Sequence, residues 1–371
     1  MAKGFSLKDQ LFNAQKVGYL AGLFRTQDPN FDPEFESRCL SRFPELELKE
    51  RISWIAECLI PALPRDFPTA AETIVAALPP PLDPSLRDDD FGDFIFCPLG
   101  DYAVTVGLEN HRDIALSLLE SVTQRFSMEY AIRHFINQWP DETFEKAAIW
   151  TTHPSYHVRR LVSEGTRPKL PWGVGITTDP ARAMPLLDQL HADPTRFVTR
   201  SIANHLNDIS KKDAAPVIAA LNRWQKAKKQ DAAELSWMTK HALRDLIKKG
   251  DPSALALLGY DMDIPLTIDI GLPDTAQIGE AFDLEVTLNG PKDAAVLVDY
   301  VITFARPEGR SRKKVHKLAV TQMTAGKPLI LRKKHKLPAD ASTYSLHPGP
   351  HEVGVQVNGR IRASAIVTLT R

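Results

Sequence analysis

Cysteine is scarce in this chain of 371 residues: Cys39, Cys58 and Cys97 are the only three, an odd number with no Cys-x-x-Cys pair. That argues against a disulfide framework and a structural zinc, and it fits a reducing cytoplasm. No apolar run approaches the roughly 20 residues needed to span a bilayer. The opening Met-Ala-Lys-Gly-Phe-Ser-Leu-Lys lacks the uninterrupted apolar stretch of a secretory signal. Also missing are Gly-x-x-x-x-Gly-Lys-Ser/Thr, Gly-x-Ser-x-Gly and His-Glu-x-x-His, so phosphate-loop, hydrolase-elbow and zincin chemistry are not indicated. His153, His157 and His205 have no carboxylate or Cys at ligand spacing and are read as structural. No metal and no cofactor is expected.

Net charge is absent as well, with 46 Lys and Arg against 46 Asp and Glu. The zero hides an asymmetry. Residues 1–149 hold 14 cations against 24 anions, residues 150–263 hold 17 against 12, and residues 264–371 hold 15 against 10. An acidic front and a basic back point to a polyanion met by the last two segments; chance surface variation accounts for the charge alone equally well.

What is present is the composition of a globular protein, 43% hydrophobic and 25% charged, in a length that favours two or three domains. Helical spacing runs to about Tyr260, as in the stripe Leu11, Phe12, Ala14, Val17, Leu20, Leu23 and Phe24. Leu78-Pro79-Pro80-Pro81-Leu82-Asp83-Pro84 is a stiff connection, and Asp88-Asp89-Asp90 extends it as a solvated loop. Three heptapeptides then recur at 40-residue spacing: Val158–Glu164, Val198–Asn204 and Met238–Arg244. Arg160, Arg200 and Lys240 fall in register, and Pro154 and Pro194 are expected to open their helices. An apolar helix precedes each heptad, at 144–150, 183–190 and 217–224. Helix pairs at this period predict HEAT-like repeats stacked into a curved solenoid.

At 100° per residue, Val198, Ile202, Leu206 and Ile209 share one buried arc. Arg200, Asn204 and Asp208 fall roughly opposite, with Arg160 and Glu164 at matching places one repeat earlier. The second helices of a HEAT stack line its concave side, so these residues are expected to gather in one polar groove.

After Pro265 the period changes to two. Runs at 266–270, 282–288, 295–304, 315–320, 329–331, 353–357 and 363–369 predict seven short strands. Asn289-Gly290-Pro291, Pro307-Glu308-Gly309 and Asn358-Gly359 supply turns. This is the pattern of an immunoglobulin-like sandwich without its disulfide. The resulting organisation is an N-terminal helical subdomain (1–105), a HEAT-like repeat region expected to be catalytic (106–263) and a β-sandwich expected to bind DNA (264–371). The fold class is mainly α, with a C-terminal all-β domain.

Tyr156-His-Val-Arg-Arg-Leu-Val-Ser-Glu-Gly-Thr-Arg-Pro-Lys-Leu-Pro-Trp172 resembles the signature of the AlkC group of DNA alkylation-repair glycosylases, relatives of AlkD built on HEAT-like repeats. Ser201-Ile-Ala-Asn-His-Leu-Asn-Asp-Ile-Ser-Lys211 resembles that group's second signature. The motifs cover about sixty residues, and the tail fits because immunoglobulin-like appendages occur in one branch of the group. Carried over residue by residue, the resemblance implies catalytic roles for Glu129, Arg160, Glu164 and Trp172, with Asp208 as a further candidate. Glu129 sits in the weaker match Ser127-Met-Glu-Tyr-Ala-Ile-Arg133. Spacing alone favours an exposed ion pair for Arg160 and Glu164, a core position for Trp172 and a helix-end pairing for Asp208; motif and groove together favour the site.

The implied reaction is hydrolysis of the N-glycosidic bond of cationic N3-alkylated bases, 3-methyladenine and 3-methylcytosine, by a monofunctional enzyme acting without base flipping. Double-stranded DNA is the expected partner of a cytoplasmic monomer. Phosphate contacts are expected from Arg159, Arg167, Lys169, Arg200, Asn204, Lys211 and Lys240. In the sandwich they are expected from Arg312, Lys313, Lys314, Arg332, Lys333 and Lys334, within the basic runs 310–317 and 332–336. A non-catalytic HEAT scaffold that binds protein or nucleic acid is the alternative.

Overall fold

The computed structural model describes residues 6–88, 90–305, 311–339 and 345–371. It divides into two compact units, 1–242 and 243–371. Among the described residues no helix is long and apolar enough to cross a membrane.

The first unit is helical because its apolar residues recur every three or four positions. Near the start the stripe is broken once: Leu7–Leu11 ends at Phe12, and Asn13 caps a second helix, Ala14–Gln27, by accepting from Lys16 N. Buried Phe12, Val17, Leu20 and Phe24 hold both pieces to the core. The Pro-rich stretch is irregular, as its missing N–H donors require. Beyond it, Asp88 pairs with Arg200 rather than lying in solvent, and Arg87 O accepts from Phe197 N. Asp89 lies outside the described residues.

The repeat is real. Pro140–Trp150 precedes Tyr156–Gly165, Met184–Leu190 precedes Arg196–Ser210, and Ala215–Ala227 precedes Ala232–Ala242. The second members of these pairs pack side by side. Val198, Ile202 and Leu206 are fully buried between them, and Ile209 nearly so. Pro154 and Pro194 stand one residue before the caps Ser155 and Thr195, not at the first helical position. The repeat continues into the capping: His153 Nδ1 accepts from Ser155 N, and Asp193 Oδ1 accepts from Thr195 N.

The second unit opens with the short helices Arg244–Lys249 and Pro252–Leu257, followed by eight strands. These are β1 (Thr267–Gly271), β2 (Thr275–Gln277), β3 (Ala281–Asn289), β4 (Ala294–Ala305), β5 (Ser311–Met323), β6 (Leu329–Lys336), β7 (Gly349–Val357) and β8 (Arg360–Thr370). They form two sheets, β1-β3-β6 and β2-β8-β7-β4-β5. Seven match the sequence-based expectation; β2 is too short to carry a period. Alternate residues of β3 (Phe282, Leu284, Val286, Leu288) meet Val296, Val298, Tyr300 and Ile302 of β4 in the core. Asn358 and Gly359 both take positive φ, +47° and +81°, as a two-residue hairpin between right-twisted strands needs. A side chain at Gly359 would also strike Gly250 and Leu255, so the short helices press directly on this turn.

The described residues of the basic runs lie on strands. Arg312, Lys313 and Lys314 lie on β5, and Arg332, Lys333 and Lys334 on β6, which continues past its apolar start; all six are exposed. Each strand is the edge of its sheet. The expected turn at Pro307-Glu308-Gly309, and Arg310, lie outside the described residues.

Candidate active site

Arg160 and Glu164 are one turn apart on Tyr156–Gly165, so helix geometry puts both on one face. They do not form a solvated pair. Glu164 is 5% exposed, and Arg160 Nη2 lies 3.7 Å from its Oε2. The closer bond of Arg160 reaches Glu129, from Nη1 to Oε2 at 2.8 Å, and Ser127 Oγ donates to the same oxygen at 2.8 Å. The Phe197 ring lies 4.4 Å from the Arg160 guanidinium carbon, a cation–π contact.

Glu164 is held from two further sides. Ser201 Oγ donates to Oε2 at 2.6 Å, and Arg167 Nη1 donates to Oε1 at 2.5 Å. Arg167 then donates through Nε and Nη2 to Asp208 Oδ2, at 3.0 and 2.8 Å. Lys211 Nζ reaches Asp208 Oδ1 at 3.1 Å. Charges therefore alternate along a line: Glu129, Arg160, Glu164, Arg167, Asp208, Lys211. Each carboxylate in the line thus has a cation at hydrogen-bond range. Burial works to raise the Glu164 carboxyl, but Arg160 and Arg167, with the Ser201 bond, carry it below its ordinary value. Burial likewise opposes the charge of Arg160 and Arg167, and their carboxylate partners reverse it, so both are raised.

Trp172 is not core. It is 52% exposed and has φ of +67°, a left-handed conformation that a bulky side chain rarely adopts. Its turn is held from several sides. Lys49 Nζ donates to Trp172 O at 2.6 Å. The buried Arg133 donates to the carbonyls of Gly165, Arg167 and Val174, and Asn137 Nδ2 donates to Gly175 O. Strain held by this many contacts is the mark of a positioned side chain.

The structure thus brings Glu129, Arg160, Glu164 and Asp208 together with Arg167 and Lys211. Arg159 is turned inward onto Asp193 and the carbonyls of His153 and Pro154. Arg200 pairs with Asp88, and Asn204 Oδ1 with His241 Nε2. Lys169 and Lys240 are exposed. Sequence reasoning passed over Ser127 and Ser201, although each is the first residue of a motif it used, because a serine has no charge to follow. It also missed Arg133 and Lys49, whose targets are backbone carbonyls and leave no pattern in sequence. Buried His205 directs Nδ1 to Ser163 O at 3.0 Å, and burial pushes its pKa down to about 4. Among the described residues no cluster of His, Cys, Asp and Glu could hold a metal ion.

Residues 269–371 match a family model described as the C-terminal Ig-like domain of the uncharacterised protein YhaZ. The uncharacterized protein YhaZ of Bacillus subtilis (strain 168) is 30% identical over 362 residues, covering 96% of this chain and 97% of that protein. Among solved structures, the Pseudomonas fluorescens alkylpurine DNA glycosylase AlkC, bound to DNA containing an abasic site analog, superposes with a TM-score of 0.83. It is 29% identical, over 99% of this chain and all of that one.

Proposed function

The chain belongs to the AlkC-like group that carries an immunoglobulin-like C-terminus, the family of Bacillus subtilis YhaZ, and from that premise we propose that it is a monofunctional DNA glycosylase. Its substrates are cationic N3-alkylated bases in duplex DNA, 3-methyladenine and 3-methylcytosine, removed as the first step of base excision repair. The observation that carries this reading is the line of alternating charges from Glu129 to Lys211, with Glu164 and Asp208 buried within it, beside an exposed tryptophan held in a strained turn.

A base alkylated at N3 is already positive, so its glycosidic bond breaks without protonation. The sugar left behind is oxocarbenium-like and needs negative charge against C1′ and a held water. Glu164 suits the electrostatic role: both oxygens are fixed, and its charge persists below the ordinary carboxyl range. Glu129 suits the water: Oε2 is taken by Ser127 and Arg160, while Oε1 has no partner among the described residues. Arg160 couples the two, and Asp208 holds Arg167 in place. Trp172 offers a π face to the cationic base or sugar. No lysine needs to attack C1′, so the product is an abasic site.

The base stays in the duplex in this reading, recognised from the sugar-phosphate side. Lys169 and Lys240, with the exposed cations of β5 and β6, contribute the phosphate contacts. Incubation with methylated duplex DNA tests the proposal: free 3-methyladenine should appear, leaving alkali-labile sites. DNA binding without base release would favour the scaffold instead.

A further inference from the structure

A cavity of about 220 Å3 opens beside Trp172, outside the line of ion pairs. Buried Ile52 and Cys97 form its apolar part. Tyr130, Trp172, Asp101 and His134 line it as well, and Lys49, Ser53, Gly173 and Val174 complete the wall. Tyr130 follows Glu129 directly, so the cavity adjoins the proposed catalytic residues.

The polar groups in it are underused. Asp101 Oδ2 accepts one bond, from Ser53 Oγ at 3.0 Å. Among the described residues the other Asp101 oxygen, the Tyr130 hydroxyl and the His134 ring have no hydrogen-bond partner. Burial raises the Asp101 carboxyl above its ordinary value and lowers His134, as expected of a carboxylate short of donors and an imidazole kept neutral. Lys49 also lines the cavity; its ammonium donates to the Trp172 carbonyl and to neither Asp101 oxygen.

Two aromatic residues, a carboxylate with one oxygen that no protein donor reaches and a neutral imidazole suit a flat heterocycle that carries an exocyclic amino group. The space is below the roughly 300–1,000 Å3 of drug-sized ligand sites; it has room for one nucleobase and not for a nucleotide. We propose that this cavity binds the free alkylated purine base after its glycosidic bond is broken. A base cut loose while still stacked must leave the duplex, and a receptive pocket beside Trp172 gives it a first stop. The identity of the ligand rests on the glycosylase reading; the cavity and its unpaired groups do not.

The test is calorimetric titration of the full chain with free 3-methyladenine, with thymine as a control. Saturable binding of 3-methyladenine, absent for thymine, is expected, at least tenfold weaker in Asp101→Asn. Val174→Trp, which enlarges an exposed side chain at the cavity's rim, should abolish it even if Asp101→Asn folds poorly. No saturation at millimolar 3-methyladenine, or equal affinity in wild type and Val174→Trp, would overturn the proposal. Base release from methylated DNA is measured separately. A chain that binds the base but excises none keeps the pocket and loses the glycosylase reading, and one that excises without binding does the reverse.

Discussion

Ser201 Oγ donates to Glu164 Oε2 at 2.6 Å, tying together the second helices of successive repeats. With Arg167 on the other oxygen, the carboxylate has one orientation and one charge state. Its position and its ionisation are thus set by the same contacts.

Glu164→Gln keeps the size and most hydrogen bonds but removes the negative charge. Excision in single-turnover assays on 3-methyladenine DNA should fall by about 100-fold or more, with DNA affinity little changed. A near-normal rate would transfer the charge-stabilising role to Glu129.

Arg167→Gln leaves Glu164 and Asp208 buried without the cation they share. Removing one partner of a buried pair costs about 3–5 kcal/mol, and urea denaturation should register a loss of that order. Adding Asp208→Asn should recover part of it, because a neutral amide does not need the missing charge. If the double variant is no more stable than the single one, the pairing is not what Arg167 contributes.

Trp172 separates two effects. Trp172→Ala should lower excision and Trp172→Phe should restore part of it, since the ring face is what the cation meets. Stability should follow a different order: at φ of +67° glycine is unstrained, so Trp172→Gly should be about 1 kcal/mol more stable than Trp172→Ala. Melting of both variants at room temperature would make the residue structural.

Reversing Lys313, Lys314, Lys333 and Lys334 to Glu removes four exposed cations from the two edge strands. If the sandwich neutralises phosphates, binding should weaken and log K against log salt should flatten by about 0.9 for each phosphate that no longer meets a cation. An unchanged slope would confine DNA binding to the helical unit.

His205 is neutral and buried, its pKa pushed down to about 4 against about 6.5 in an unfolded chain. The unfolded state therefore takes up the proton first. The stability linked to His205 is complete above about pH 6.5 and is lost as pH falls toward 4. His157 is shifted by burial to about 4 as well and adds to the loss. Melting temperature should drop across this window in wild type and less steeply in His205→Gln; parallel profiles would place the acid sensitivity elsewhere.

Much of this was legible in the chain. Period three to four up to Tyr260 and period two after Pro265 separate helices from strands because side-chain direction follows backbone geometry. The 40-residue recurrence aligned the helices that pack together, and four-residue spacing put Arg160 and Glu164 on one face. Spacing does not say which partner a charge takes. Only packing made Arg160 prefer Glu129, gave Glu164 to Arg167 and Ser201, and turned Arg159 away onto Asp193. It also brought Trp172 out of the core into a left-handed turn, through Lys49 and Arg133, whose carbonyl acceptors are present on every residue. Burial and pairing depend on distances between segments far apart in sequence, and those distances exist only once the repeats have stacked.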